Sequence, residues 1–174
     1  SLFLEIDNNV IAQTKEIYNN LISQMGNFPT PPDLEIISTF RNPAKISNGT
    51  IYIENNLLKV LNEGQNFKSK IAYVLAHELA HHYLNHTSFI GSGFTYINDN
   101  ELSKSEIDFQ NVEREIINKR KDREREADEW GGFFAQVAGY NSLDHGAGAL
   151  RSIYKAYELK DEIIGYPSLQ NRIG

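Results

Sequence analysis

Apolar residues near the start of the chain recur every three to four positions, at Ile6, Val10, Ile17, Leu21 and Met25. That spacing lines one side of a helix, because 3.6 residues make a turn. Asp7 or Asn8 stands where an N-cap belongs, and Gly26 supplies a stop. Pro29, Pro31 and Pro32 then interrupt any regular element. Leu34 to Phe40 reads as a strand, and Thr50 to Ile53 as a short second one after the Asn48-Gly49 turn. Asn55 to Glu63 returns to helical periodicity and is closed by Gly64.

Longer helices follow. One is expected from about Ser69 to Asn85, with Ile71, Leu75, Leu79 and Tyr83 as its core stripe and Ala76 and Ala80 permitting close packing. The stretch Thr87 to Asn100 contains Gly and Asn and reads as a loop. A second long helical stretch runs from around Ser105 to Ala138, closed by Gly139. Helices over Asp144 to Leu159, and a short one opened by Pro167, complete the pattern. There is no internal repeat and no low-complexity tract. Many helices and a small sheet put the chain in a mostly helical α+β class. Its 174 residues, 40% of them hydrophobic, suit one domain over residues 1–174, with residues 1–28 forming an N-terminal amphipathic helix packed on it.

Charge and composition narrow the chemistry. The formal net charge of −6 argues against a nucleic-acid partner, which would select a basic field. The one dense basic run, Lys119 to Arg125, is interleaved with Asp122 and Glu124 and reads as a solvated helix face. The absence of cysteine excludes a disulfide scaffold, thiol nucleophiles and thiolate metal sites. No apolar run approaches the roughly 18–20 residues of a membrane span. The chain opens with Ser1 rather than Met, as a mature exported chain or a domain taken from a longer one would, and an exported location is favoured over a cytoplasmic one.

The segment that carries chemistry is His77-Glu78-Leu79-Ala80-His81, inside strongly helical sequence. Residues four apart on a helix lie one turn above another, so two imidazoles can converge on one ion while the backbone stays regular. Glu78 hangs at the rim of the same face, within reach of an attacking water. A catalytic zinc site needs a third protein ligand and an open position. Glu124 is the candidate, in Glu124-Arg125-Glu126-Ala127-Asp128 on the second long helix. Asp128, one turn later, would accept a hydrogen bond from the remaining nitrogen of a ligand histidine, His77 first, and so fix its tautomer. Glu126 falls two positions off that face and is the weaker candidate. His82 and His86 also stand four apart, but Tyr83 follows His82 where a base would be needed. His82 is expected to face away from the metal, and His86 to sit near the helix C-terminus, where a cationic imidazole is favoured. His145 reads as a helix-start or surface residue.

These motifs resemble the gluzincin metallopeptidases that include the heat-shock protease HtpX and the CAAX prenyl endopeptidases. Val74-Leu75-Ala76-His77-Glu78-Leu79-Ala80-His81 is similar to that family's core, Glu124 to Asp128 to its E-x-x-A-D, and Ala138-Gly139-Tyr140 to the turn closing that helix. Asn42-Pro43-Ala44, followed by Gly49 to Ile53, resembles its edge-strand region. The resemblance implies a zincin-like domain and one zinc ion per chain, held by His77, His81 and Glu124. Glu78 would be the catalytic carboxylate and Asp128 its neighbour's support. It also implies a peptide or protein substrate aligned along Thr50, Ile51, Tyr52 and Ile53 as an edge strand. The family's His-Pro pair, followed by an Arg a few residues on, corresponds here to Tyr166-Pro167 and Arg172, so the chain departs from it where tyrosine stands in place of histidine. A tyrosine hydroxyl there can donate to a developing oxyanion but cannot replace an imidazole as a metal ligand. Lacking the transmembrane helices of the membrane-bound members, the chain resembles the soluble branch. The alternatives are a zinc-binding chaperone or interaction module that does no catalysis, and a helical domain without metal.

Overall fold

A computed structural model describes residues 7–25, 30–86, 107–159 and 172–173, with the side chains of residues 107–117 left out of the description. In chain order the elements are α1 (Asn8–Ser23), β1 (Asp33–Ile37), β2 (Ala44–Ser47), β3 (Thr50–Glu54), α2 (Asn55–Asn62), α3 (Phe67–Tyr83), α4 (Ile107–Val137) and α5 (Ser142–Ala156). The architecture is the mostly helical one with a small sheet that the periodicity implies.

Helix α1 starts where its cap requires: the Asp7 carboxylate accepts from the Asn9 backbone N–H at 2.9 Å. Val10, Thr14, Ile17, Tyr18 and Leu21 are its buried side. The Tyr18 hydroxyl donates to the Pro32 carbonyl, tying α1 to the entry of the sheet. The Asn48-Gly49 pair makes the β2–β3 hairpin, with φ of +49° and +76°, the left-handed values a two-residue turn needs at both central positions.

The sheet corrects one expectation. Its strand order is β1-β3-β2, with β1 parallel to β3 and β2 antiparallel to it. Thr50, Ile51, Tyr52 and Ile53 therefore form the central strand, not an edge. Their backbone groups are paired on one side with Asp33 to Ile36 and on the other with Ala44 to Ser47, which leaves nothing to pair with a peptide. The strand missing from the sequence reading is β2, four residues long and begun directly after Pro43.

Helix α3 is the spine. Every residue from Ile71 to His81 is buried, so the single core stripe expected from its sequence is replaced by burial on all sides, and Tyr83 is only half-buried. Helices α1, α2, α4 and α5 and strand β2 all pack on it. Over that stretch the helix shows little amphipathicity because it has no solvent face. The close crossing of α4 depends on Gly131: a Cβ there would lie 2.7 Å from the His77 nitrogen and 2.8–2.9 Å from the Ala76 carbonyl group. On α4, Arg120, Glu124, Ala127, Asp128, Gly131 and Ala135 are buried, at the 3–4-residue spacing of one helical face. Gly131 thus sets the distance at which that face meets α3. Gly139, with φ of +100°, ends the turn after α4.

Candidate metal centre

Two side chains of α3 and one of α4 meet at a buried point. His77 Nε2 and His81 Nε2 are 3.0 Å apart. Glu124 Oε2 lies 3.3 Å from His77 Nε2, and Glu124 Oε1 lies 3.2 Å from His81 Nε2. All three residues are at most 1% exposed. Ligand atoms bound at about 2.0–2.1 Å around a tetrahedral ion sit roughly 3.3 Å apart, so these separations fit a small divalent cation. The donor set, two imidazoles and a carboxylate, is the kind that zinc takes when one position stays open.

The tautomers agree with that fit. His77 Nδ1 donates to Asp128 Oδ1 at 2.8 Å, which turns Nε2 toward Glu124 and makes it the nitrogen that is free of a proton when the ring is neutral. Asp128 is itself held by three further bonds. The Tyr73 hydroxyl donates to Oδ1 at 2.7 Å, Arg172 Nε donates to Oδ2 at 2.6 Å, and an Arg172 terminal nitrogen donates to Oδ1 at 2.7 Å. Arg172 also donates to the Tyr154 hydroxyl at 3.1 Å and approaches Glu124 Oε2 at 3.6 Å. The Tyr73 ring is seated against Gly146 of α5, where a Cβ would come within 2.8 Å of it. Helices α3, α4 and α5 and the segment ending at Ile173 therefore all contribute to holding one carboxylate.

The charges follow from burial and these partners. Burial opposes the imidazolium of His77, yet Asp128 and Glu124 outweigh it and push its pKa up to about 10. His81 is buried as deeply, and although Glu124 pulls upward, burial and the neighbouring His77 and His86 bring it down to about 4. Burial also works against Asp128 and Glu124, but Arg172 and His77 hold Asp128 below its ordinary range, and His81 and His77 hold Glu124 well below its own. Glu78 differs. Both its carboxylate oxygens are buried with no hydrogen-bond partner among the described residues. Burial pushes its carboxyl up to about 8, and the charges it feels most are those of His77 and Glu124.

The remaining histidines divide. His82 turns away, as expected, with Nε2 placed 3.0 Å from the Thr30 carbonyl oxygen. His86 lies just past the C-terminus of α3, as expected, but not as a solvated cation. It is 5% exposed, its Nδ1 is 3.1 Å from His81 Nδ1, and burial lowers its pKa. The four-residue spacing of His82 and His86 makes no pair, because α3 stops at Tyr83. Glu126 points away from the three-residue cluster, its Oε2 lying 3.2 Å from His86 Nε2. His145 is half-buried in the first turn of α5. Tyr166 lies outside the described residues, as do Thr87 to Asn100 and Pro167. Tyr73 and Tyr154 have no part in the motifs read from the sequence, and Arg172 enters there only as the arginine that follows Tyr166-Pro167. Tyr73 left a signal of its own, one helical turn before His77.

A sequence model of Peptidase family M48 matches residues 12–173. No curated protein matches the chain. Among the described residues, no helix is long and apolar enough to cross a membrane.

Proposed function

This chain belongs to Peptidase family M48, the family of HtpX and the CAAX prenyl proteases, and from that membership we propose that it is a zinc-dependent endopeptidase. His77, His81 and Glu124 would hold the ion. The observation that carries the reading is the convergence of their ligand atoms, all within 4.8 Å of one another, from two separate helices. When bound, zinc supplies Lewis acidity that polarises a carbonyl and acidifies water.

The chain's own residues supply the rest. Asp128 would hold a proton on His77 Nδ1, so that Nε2 is the nitrogen that gives up its proton to the ion. Glu78 takes the proton of the attacking water onto its carboxylate and delivers it to the leaving nitrogen of the cleaved peptide bond. A carboxylate held by donors would be a poor proton carrier, and Glu78 has none among the described residues. The same feature argues against a module that merely binds zinc: a structural site closes its coordination with four protein ligands and has no use for an unpaired buried carboxylate beside its first histidine. Substrate would add to the sheet at β2, Ala44–Ser47, an edge strand that packs against α3.

Exchanging Glu78→Gln tests the base. Peptide hydrolysis should fall by about 10²–10⁴-fold while zinc content is unchanged. His81→Ala or Glu124→Ala should release the metal instead, as elemental analysis of the purified variants would show. Wild-type protein that carries no zinc and cleaves no peptide in the presence of added zinc would overturn the reading.

A further inference from the structure

The support of His81 comes from an unexpected direction. Helix α3 closes at Leu84, and Asn85 takes the left-handed conformation, φ +58°. That single residue reverses the chain and brings His86 back beneath the helix it has just left. The two rings meet edge-on, at 64° with centroids 5.2 Å apart, and their Nδ1 atoms are 3.1 Å apart. On its other side, His86 Nε2 is 3.2 Å from Glu126 Oε2, and Arg123 donates to the His86 carbonyl at 3.5 Å. Helix α4 therefore grips His86 through residues on either side of Glu124.

Proton placement then has one solution. With His81 Nε2 turned to the ion, its Nδ1 must carry the hydrogen. The facing Nδ1 of His86 must accept it, which puts the His86 hydrogen on Nε2, aimed at the Glu126 carboxylate. Each nitrogen and oxygen in the row has the role its neighbour requires.

We propose that His86 is a positioning residue for His81, fixing the ring and tautomer of that ligand as Asp128 fixes His77, with Glu126 holding His86 in turn. This rests on the zinc reading above and extends it: both ligand histidines would be oriented from α4, one by a carboxylate directly and the other through an interposed imidazole.

The test compares zinc dissociation constants of the full chain, measured by competition with a chromophoric chelator, alongside the absorption spectrum of the cobalt-substituted protein. His86→Leu removes the acceptor, and zinc affinity should fall about 10–100-fold with a changed cobalt spectrum. His86→Asn keeps an oxygen near the Nδ1 position and should restore affinity to within about threefold of wild type, together with the wild-type spectrum. His86→Gln is as polar but carries its oxygen near the Nε2 position, so it should behave like the leucine variant. Should the leucine variant not fold, the Asn and Gln pair still decides. Equal zinc affinity for Asn and Gln, or a folded leucine variant that binds as tightly as wild type, overturns the proposal. Wild-type chain that binds no zinc would instead sink the metal reading on which it rests.

Discussion

His77 and His81 share an element and a face, yet they rest on unlike ground. Behind His77 stands Asp128, a carboxylate 7% exposed that takes bonds from His77, Tyr73 and Arg172. Behind His81 stands His86, whose own partner Glu126 has a side chain 57% exposed. The first support is a buried ion network drawn from four parts of the chain, and removing any charge from it leaves another stranded in low dielectric. The second ends in solvent, where a lost partner is replaced by water. Loss of a charge should therefore act differently on the two sides, costing stability and metal together on the His77 side and metal alone on the His81 side.

The sharpest way to break that contrast is Asp128→Ala. It takes from the buried Arg172 guanidinium its two-bond carboxylate partner and should cost about 3–5 kcal/mol in urea unfolding, with zinc binding lost as well. If the variant unfolded at the wild-type urea concentration, the network would not be what holds this side. Gly131→Ala comes next. Its methyl would meet backbone rather than a movable side chain, so α4 must shift from α3 at a cost of about 1–3 kcal/mol. Zinc affinity should fall with it, because Glu124 and Asp128 ride on the displaced helix. Tyr73→Phe removes one donor from a carboxylate that keeps its other partners. Thermal unfolding should register about 0.5–1.5 kcal/mol, with zinc affinity little changed. The smallest effect belongs to Glu126→Ala on the exposed side. Its stability should stay within about 0.5 kcal/mol of wild type. Its zinc affinity should drop no more than about fivefold, matching the ~1 kcal/mol ceiling of an exposed pair. A Glu126 variant less stable than the Asp128 variant would reverse the comparison outright.

Much of this was legible beforehand, for local reasons. The pair His77 and His81 and the pair Glu124 and Asp128 are each four residues apart within strongly helical sequence, and helical geometry alone puts each pair on one face. The Asn48-Gly49 turn and the limits of α2 and α4 were equally local. Two features have no local signature. The sheet's third strand, which makes Thr50–Ile53 central, is too short and too close to Pro43 to announce itself. The contact of His86 with His81 is equally silent, because nothing in Asn85 alone says that it will take a positive φ.

What the sequence by itself determined is the inventory of chemistry and its placement on helical faces, because a 3.6-residue period is a property of the backbone and needs no partner. What only the tertiary structure decided is the convergence: the approach of α4 to α3 over Gly131, the arrival of Arg172 at Asp128, and the return of His86 to His81. Those contacts join residues distant in sequence or lying beyond a helix end, and their distances are set by how closely backbones can pack, a quantity no residue spacing encodes.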